Sequence, residues 1–426
     1  MIRLIIRFLP VIFLIPLLVA CEELPIGAAT PTAVPTPIAT PTPLAQPTAP
    51  LVRTVTLQIW VPPQFDPSAD SPASQILQAR LDEFTDQRSR VYINVRVKAV
   101  SGPGGLLDSL STASAAAPLA LPDLIALPRS SLEAAALKGL VFPYDGLSAS
   151  MEADDWYDYG RQLAELQNTT FGLPFAGNAL VMLYRPGEIS QTPTNWALLL
   201  EVDDILTFPA DDQQALFTLA QYLAAGGKIR DNEGRPTLEL NQLTEVLTFF
   251  QAAQDVGIMP FWLTQYTNDD QSWGAYLDNR SNLVISWISR YLSEMPVDSN
   301  ATTLPTPDRQ PFTLANGWVW ALSNPDPERL ALSVELAEFL TSPDFLAEWV
   351  SAAGYLPPRV DALDGWTSTT LRMLLDKVAK SAKVIPPSDL LAAISPALHQ
   401  ATLDVLKDQA DAATAARSAV NKLENP

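Results

Sequence analysis

From Val55 to Val61 apolar side chains fall on every second position: Val55, Leu57, Ile59 and Val61 alternate with Thr56, Gln58 and Trp60. That two-residue period predicts a strand, stopped by Pro62 and Pro63. Ser71-Pro72 then opens a helix, proline fitting its first turn, and Leu77, Leu81 and Phe84 recur at helical spacing. Val91, Ile93, Val95 and Val97 form a second strand. A strand, a helix and a strand of these lengths make a right-handed unit, so the sheet is predicted to begin parallel.

The alternation continues with helices around Leu106 to Ala115, Ser131 to Leu137 and Trp156 to Leu166, and strands at Leu124 to Leu127 and Ala179 to Tyr184. In a second cycle Pro193-Thr194-Asn195-Trp196 begins a helix, and Asp211 or Asp212 caps another that closes at Gly226-Gly227. Leu243, Val246, Leu247 and Phe250 mark a helix ended by Gly257, and Leu283 to Trp287 and Thr313 to Leu322 read as buried strands. Helices dominate afterwards, opening at Asp326-Pro327 and Ser342-Pro343 and running over Leu371 to Lys380 and Leu398 to Leu423. The fold class is α/β. A chain of 426 residues, 47% of them hydrophobic, exceeds the usual size of one core, so two lobes are predicted.

Ahead of the first strand the pattern changes twice. Arg3 and Arg7 precede an apolar run from Phe8 to Ala20 interrupted by Pro10 and Pro16, which reads as a secretory signal over residues 1–20 rather than a spanning helix. Leu18-Val19-Ala20-Cys21 resembles a bacterial lipobox, which implies cleavage before Cys21 and acylation of its thiol. Cys21 is the only cysteine, so it has no disulfide partner. From Pro25 to Pro50, eight of 26 residues are proline and none is charged, the composition of an extended tether. At ~3.1 Å per residue it reaches roughly 80 Å from the membrane.

Without residues 1–20 the chain carries 25 basic and 47 acidic residues, a net charge of −22. Such an anion disfavours nucleic acid and anionic lipid as partners. One cysteine and one histidine cannot assemble a zinc site from the favoured ligands, and no cofactor is expected.

From about Thr54 onward the landmarks resemble, in order, the family 1 extracellular solute-binding proteins of ABC importers, the group that includes maltose-binding protein. The matching segments are Leu57-Gln58-Ile59-Trp60, Pro122-Asp123-Leu124-Ile125, Phe171-Gly172-Leu173-Pro174, Pro193-Thr194-Asn195-Trp196, Asn316-Gly317-Trp318 and the loop Gly354-Tyr355-Leu356-Pro357-Pro358-Arg359. Arg185 departs from the family pattern, where asparagine is common. The resemblance implies a two-lobed periplasmic-binding-protein-like fold, each lobe a mainly parallel sheet flanked by helices, joined by strands that cross three times. By analogy residues 51–185 with 318–376 form the N-terminal lobe, and 186–317 with 377–426 the C-terminal lobe. The tether with lipidated Cys21 occupies residues 21–50.

The resemblance places ligand in the interlobe cleft and implies binding positions at Trp60, Gln64, Asn178, Asp212, Trp273, Trp287, Arg290 and Trp318. Aromatic faces give sugars an apolar platform while amides and carboxylates pair with hydroxyls. Asp123, just before a buried strand, is expected to be structural, and Arg359 to tie a loop. The implied function is capture of a small solute, a mono- or oligosaccharide, by a monomeric lipoprotein outside a bacterial membrane for delivery to ABC permease subunits. A peptide or polyamine solute, or a sensor or adhesion role on the same fold, stays open as an alternative. A glycoside hydrolase is the remote one: the paired aspartates Asp154-Asp155, Asp203-Asp204, Asp211-Asp212 and Asp269-Asp270 read as caps and turns, and His399 is the only histidine for a triad. No enzyme is expected.

Overall fold

A computed structural model describes residues 54–424; Cys21, the signal stretch and the proline-rich tether lie outside them. The strands are β1 (Val55–Val61), β2 (Val91–Val97), β3 (Leu124–Pro128), β4 (Glu165–Leu166), β5 (Thr169–Thr170), β6 (Leu173–Tyr184), β7 (Leu206–Thr207), β8 (Leu283–Trp287), β9 (Asn300–Thr302), β10 (Thr313–Leu322) and β11 (Ala382–Val384). β4 and β5 form a hairpin, and the other nine build one sheet in the order β2-β1-β3-β10-β6-β8-β7, with β11 on β10 and β9 on β6. The sheet begins parallel, Val55 opposite Val91 through Val61 opposite Val97. Every antiparallel ladder in it involves β6 or β10, the two long strands that run from one lobe to the other.

The lobes are defined by their cores. Leu57, Ile59, Phe84, Leu124, Trp320 and Trp349 belong to one, and Leu206, Phe208, Phe250, Leu283, Ile394 and Leu398 to the other. A third cluster, with Tyr159, Leu163, Val181, Val319, Leu375 and Val378, covers the reverse of the crossover strands. There the Asp158–Ala164 helix lies on the strand backbone because Gly177 of β6 stands opposite Gly317 of β10. A Cβ at Gly177 would come 2.2 Å from Tyr159 Oη and 2.7 Å from the Leu356 carbonyl oxygen, and one at Gly317 2.5 Å from Leu163 Cδ1. The Tyr159 hydroxyl uses this proximity to donate to the carbonyls of Leu356 and Pro357, at 3.1 and 2.7 Å. Beside it Tyr157 donates to Asp376 at 2.9 Å; burial, and then the carboxylate, push its pKa up, so the hydroxyl keeps its proton.

β6 starts at Leu173, six residues before the predicted Ala179, and takes in a proline and a glycine that strands disfavour. Pro174 faces Val319, where the β6–β10 register shifts and one missing donor is tolerated. The last helical region also differs: Ser388–Leu406 forms a helix around an internal proline, Pro396, and a second helix, Ala412–Glu424, follows a break at Asp408, whose φ is 53°.

Three buried charges are accounted for inside the fold. Asp123 accepts from the Gln58 amide at 2.6 Å and from Asn324 at 2.8 Å and pairs with Arg329, as expected of a structural residue. Arg359 holds Asp155 with two bonds of 2.6 Å and donates to the Thr341 carbonyl at 2.9 Å. Arg185 pairs with Asp298 at 2.7 Å and donates to the carbonyls of Ser281 and Tyr276, so it fastens the end of β6 to the strand and helix beside it.

Forcing a methyl group into the Gly177 contact should destabilise the fold by about 1–3 kcal/mol, the usual range for overpacking. Gly177→Ala is expected to lower the urea midpoint accordingly, and an unchanged midpoint would contradict the close approach.

Candidate functional site in the interlobe cleft

One face of β10 reads Leu314, Asn316, Trp318, Trp320, Leu322. Leu314 joins the core of the second lobe, and Trp320 and Leu322 that of the first, while Asn316 and Trp318 between them are only half-buried. β6 has the same interruption: Asn178, opposite Asn316, is half-buried between buried Gly177 and Ala179. The lobes therefore part over these positions. A cavity of about 540 Å³ opens there, floored by Asn316, Gly317 and Trp318 and walled by Arg129, Ser130 and Glu133 from one lobe and Gln213, Gln214, Leu391 and Ser395 from the other.

Most charge in the walls is committed to structure. Arg129, first residue of the Arg129–Leu137 helix, pairs with Glu133 at 3.0 Å and donates to the carbonyls of Gln162, Leu163 and Glu165. Glu133 also accepts from the Ser388 amide at 3.1 Å and its hydroxyl at 3.2 Å. Pro387 offers no side-chain cap to the Ser388–Leu406 helix, so a carboxylate of the opposite lobe serves its positive end. Asp212 likewise accepts from the amides of Gln214 and Leu216, both at 3.0 Å, ahead of the Leu216–Ala224 helix, while Asp211 pairs with His399 at 2.7 Å. Pro396 lacks the N–H that the carbonyl of Ala392 would otherwise receive one turn back, and both residues line the cavity.

Trp318 lines the cavity directly and meets Phe65 edge-on at 5.2 Å. Trp287 ends β8, half-buried and opposite Leu180; with Leu180 two residues beyond Asn178, its ring shares the face of Asn178, Asn316 and Trp318. Asn178 itself is partly spent, its Oδ1 accepting from the amides of Ala179 and Ser289 at 3.1 Å.

The remaining expected positions lie apart from this cavity. Trp60 is 3% exposed among Leu106, Leu110 and Ile125, with Lys98 Nζ 4.8 Å from its ring centroid, and Gln64 is exposed on the 3-10 turn Pro63–Phe65. β8 turns Leu283 and Ile285 toward the second lobe's core and Val284 toward the reverse cluster, which also holds Trp273 and Ile288. Trp273 donates to Glu294 at 2.9 Å, and Arg290 pairs with Asp269 at 2.8 Å, with Asp270, and with Glu294 at 3.8 Å. Burial holds the Asp269 carboxyl above its ordinary range, against the opposing charge of Arg290. Gln213, Gln214, Ser395 and the Ala392 carbonyl were not anticipated; of these only the last had a signal, a proline inside an apolar helix.

Among the described residues no cluster of His, Cys, Asp or Glu is arranged to hold a metal ion, and no helix is long and apolar enough to cross a membrane.

Solved structures share this architecture. The cyclic α-maltosyl-1,6-maltose binding protein from Arthrobacter globiformis superposes with a TM-score of 0.70 at 17% identity, over 87% of this chain and 98% of that one. The sugar-binding protein MalE from Xanthomonas citri gives 0.70 at 16% identity, over 87% and 96%. A cyclo/maltodextrin-binding protein complexed with maltotetraose gives 0.69 at 19%, over 88% and 98%. No curated protein sequence matches significantly. The sequence profile of one family matches residues 79–373, most of the two-lobed body described above: the chain belongs to the bacterial extracellular solute-binding proteins.

Proposed function

We propose that this chain is the solute-binding lipoprotein of an ABC importer and that its solute is a mono- or oligosaccharide. The observation that carries the reading is the sheet face at the cleft, where the half-buried indole of Trp318 and the amide of Asn316 line the cavity and Trp287 and Asn178 stand on the same face beside its lining. Apolar ring faces with a few oriented polar groups are what sugar C–H faces and hydroxyls require. The Ala392 carbonyl adds an acceptor of fixed direction. The structural relatives named for maltose, maltodextrin and cyclic maltosides favour the same class.

Binding would draw the lobes together, since a solute touching both favours the closed arrangement by its extra affinity for it. We assign residues 51–185 with 318–376 to one moving body and 186–317 with 377–426 to the other, in a monomer read by a membrane permease. Acylated Cys21 and the proline-rich tether would hold that body near the permease at high effective concentration.

In a thermal-shift screen of the protein without its first 21 residues, at least one sugar is expected to stabilise it by about 2.7 kcal/mol at a hundred times its dissociation constant. Amino acids, polyamines and peptides serve as the contrasting set, and stabilisation by these alone would remove the sugar assignment. Trp318→Ala should abolish the shift while the far-UV spectrum stays unchanged. Cys21→Ala should move the full chain from the bacterial membrane fraction to the soluble one; unchanged fractionation would rule out the lipid anchor.

A further inference from the structure

β2 is the outer strand of the sheet: its only neighbour is β1, and β1 and β3 stand between it and the crossover strand β10. The Arg90 carbonyl accepts from the Val55 amide and the Lys98 amide donates to the Val61 carbonyl, both at 2.9 Å. Main-chain groups alternate in direction along a strand, so those of Tyr92, Asn94 and Arg96 turn to β1 and those of Ile93, Val95 and Val97 turn outward. Seven residues in unbroken register, with no proline and no bulge, leave this edge open.

The open edge borders a groove of about 350 Å³, whose opposite wall is the Pro72–Asp86 helix. Leu81 of that helix and Ile93, Val95 and the 43% exposed Val97 of the strand supply its apolar lining. Its two carboxylates are already engaged, Asp66 by the amide and hydroxyl of Ser68 at 2.8 and 2.7 Å and Asp82 by Gln78 at 2.8 Å. An edge strand and a helix with a groove between them suit an extended segment that adds as a further strand, held by main-chain bonds while alternate side chains enter the groove.

Charge selects the segment. Arg96 stands opposite Trp60, on the face of β2 turned away from that helix, with Tyr92 on the same face and Arg90 at the strand's start. Arg88 pairs with Glu335 at 3.1 Å and Lys98 Nζ lies 4.8 Å from the Trp60 ring centroid, but Arg90 and Arg96 are exposed and meet no carboxylate among the described residues. An added strand lays every second side chain beside Arg96 on this face, where an opposite charge is favoured. Charges elsewhere on this acidic chain are screened over ~8 Å at physiological salt, so the adjacent guanidinium sets the preference.

We propose that β2 is a docking edge for a partner protein. The segment that docks is extended, with apolar residues alternating with Asp or Glu, its apolar side chains toward the helix and its carboxylates toward Arg96 and Arg90. The edge packs on the core of the first lobe alone, so a partner held there leaves the cleft cavity uncovered.

Fluorescence anisotropy with a labelled Thr-Glu-Val-Glu-Val-Glu-Thr peptide, on the protein without its first 21 residues, tests the proposal. The peptide is expected to bind at least tenfold more tightly than its counterpart with lysine in place of glutamate. N-methylation of the valines alone, or of the glutamates alone, removes N–H groups from one side of the peptide; one pattern should abolish binding and the other preserve it. Val95→Pro deletes an outward N–H at an edge position where proline is tolerated, and should weaken binding at least tenfold. Arg96→Glu, at an exposed site, is expected to have the same effect and serves if Val95→Pro does not fold. No binding, equal binding of the lysine peptide, or indifference to the methylation pattern would overturn the proposal. So would a dimer in sedimentation equilibrium that Val95→Pro dissolves, since that assigns the edge to a second copy of the chain.

Discussion

The close contact between the Asp158–Ala164 helix and the paired glycines Gly177 and Gly317 sets the geometry of the molecule. Two strands that serve both lobes must be covered on their reverse face where the lobes divide, since that is where each core ends. With no Cβ at either position, Tyr159 and Leu163 sit against bare backbone, and the Tyr159 hydroxyl reaches the Leu356–Pro357 loop. The reverse face is thereby sealed and the front face left open at Asn178, Asn316 and Trp318. An open front over a rigid back is the condition for a cleft that bends without exposing either core.

Around that cleft, polar side chains mostly serve the protein. Glu133 and Asp212 supply helix ends, Arg129 gathers three carbonyls, and Asn178 orients the turn into the Ile288–Glu294 helix. Such commitments hold the walls in place and leave the half-buried ring of Trp318 and the amide of Asn316 on the cavity floor. A neutral, hydroxyl-rich solute suits that inventory better than a charged one, which would need an unpaired counter-charge inside the cavity.

Much of the fold was legible in the sequence where one period dominated. β1 and β2 alternate strictly, β8 and β10 are nearly continuous apolar runs, and Ser71-Pro72 and Asp326-Pro327 carry their caps in order. What escaped had a local cause. Pro174, Gly177 and Pro396 are breakers by propensity, and only tertiary contacts reveal why they are accommodated. β7, β9 and β11 have two or three residues each, too few to show a period. The site was legible only in part: Trp318 and Trp287 stand on strands and share the cleft face, but Trp60, also on a strand, packs into the reverse cluster. Trp273 and Arg290 stand on helices flanking β8, and which side those helices cover depends on packing that spacing does not encode. Gln213 and Ser395 come together only through the fold, by way of a hydroxyl bond from Ser395 to the Gln214 carbonyl.

Pro396 has a consequence for how such a binder changes over evolutionary time. An acceptor offered by the main chain at Ala392 has no rotamers to lose and is indifferent to which side chain residue 392 carries. Side chains around it can change while this one acceptor, set by the missing amide of Pro396, keeps its position and polarity. Only replacement of the proline would silence it, by returning an amide to the helix.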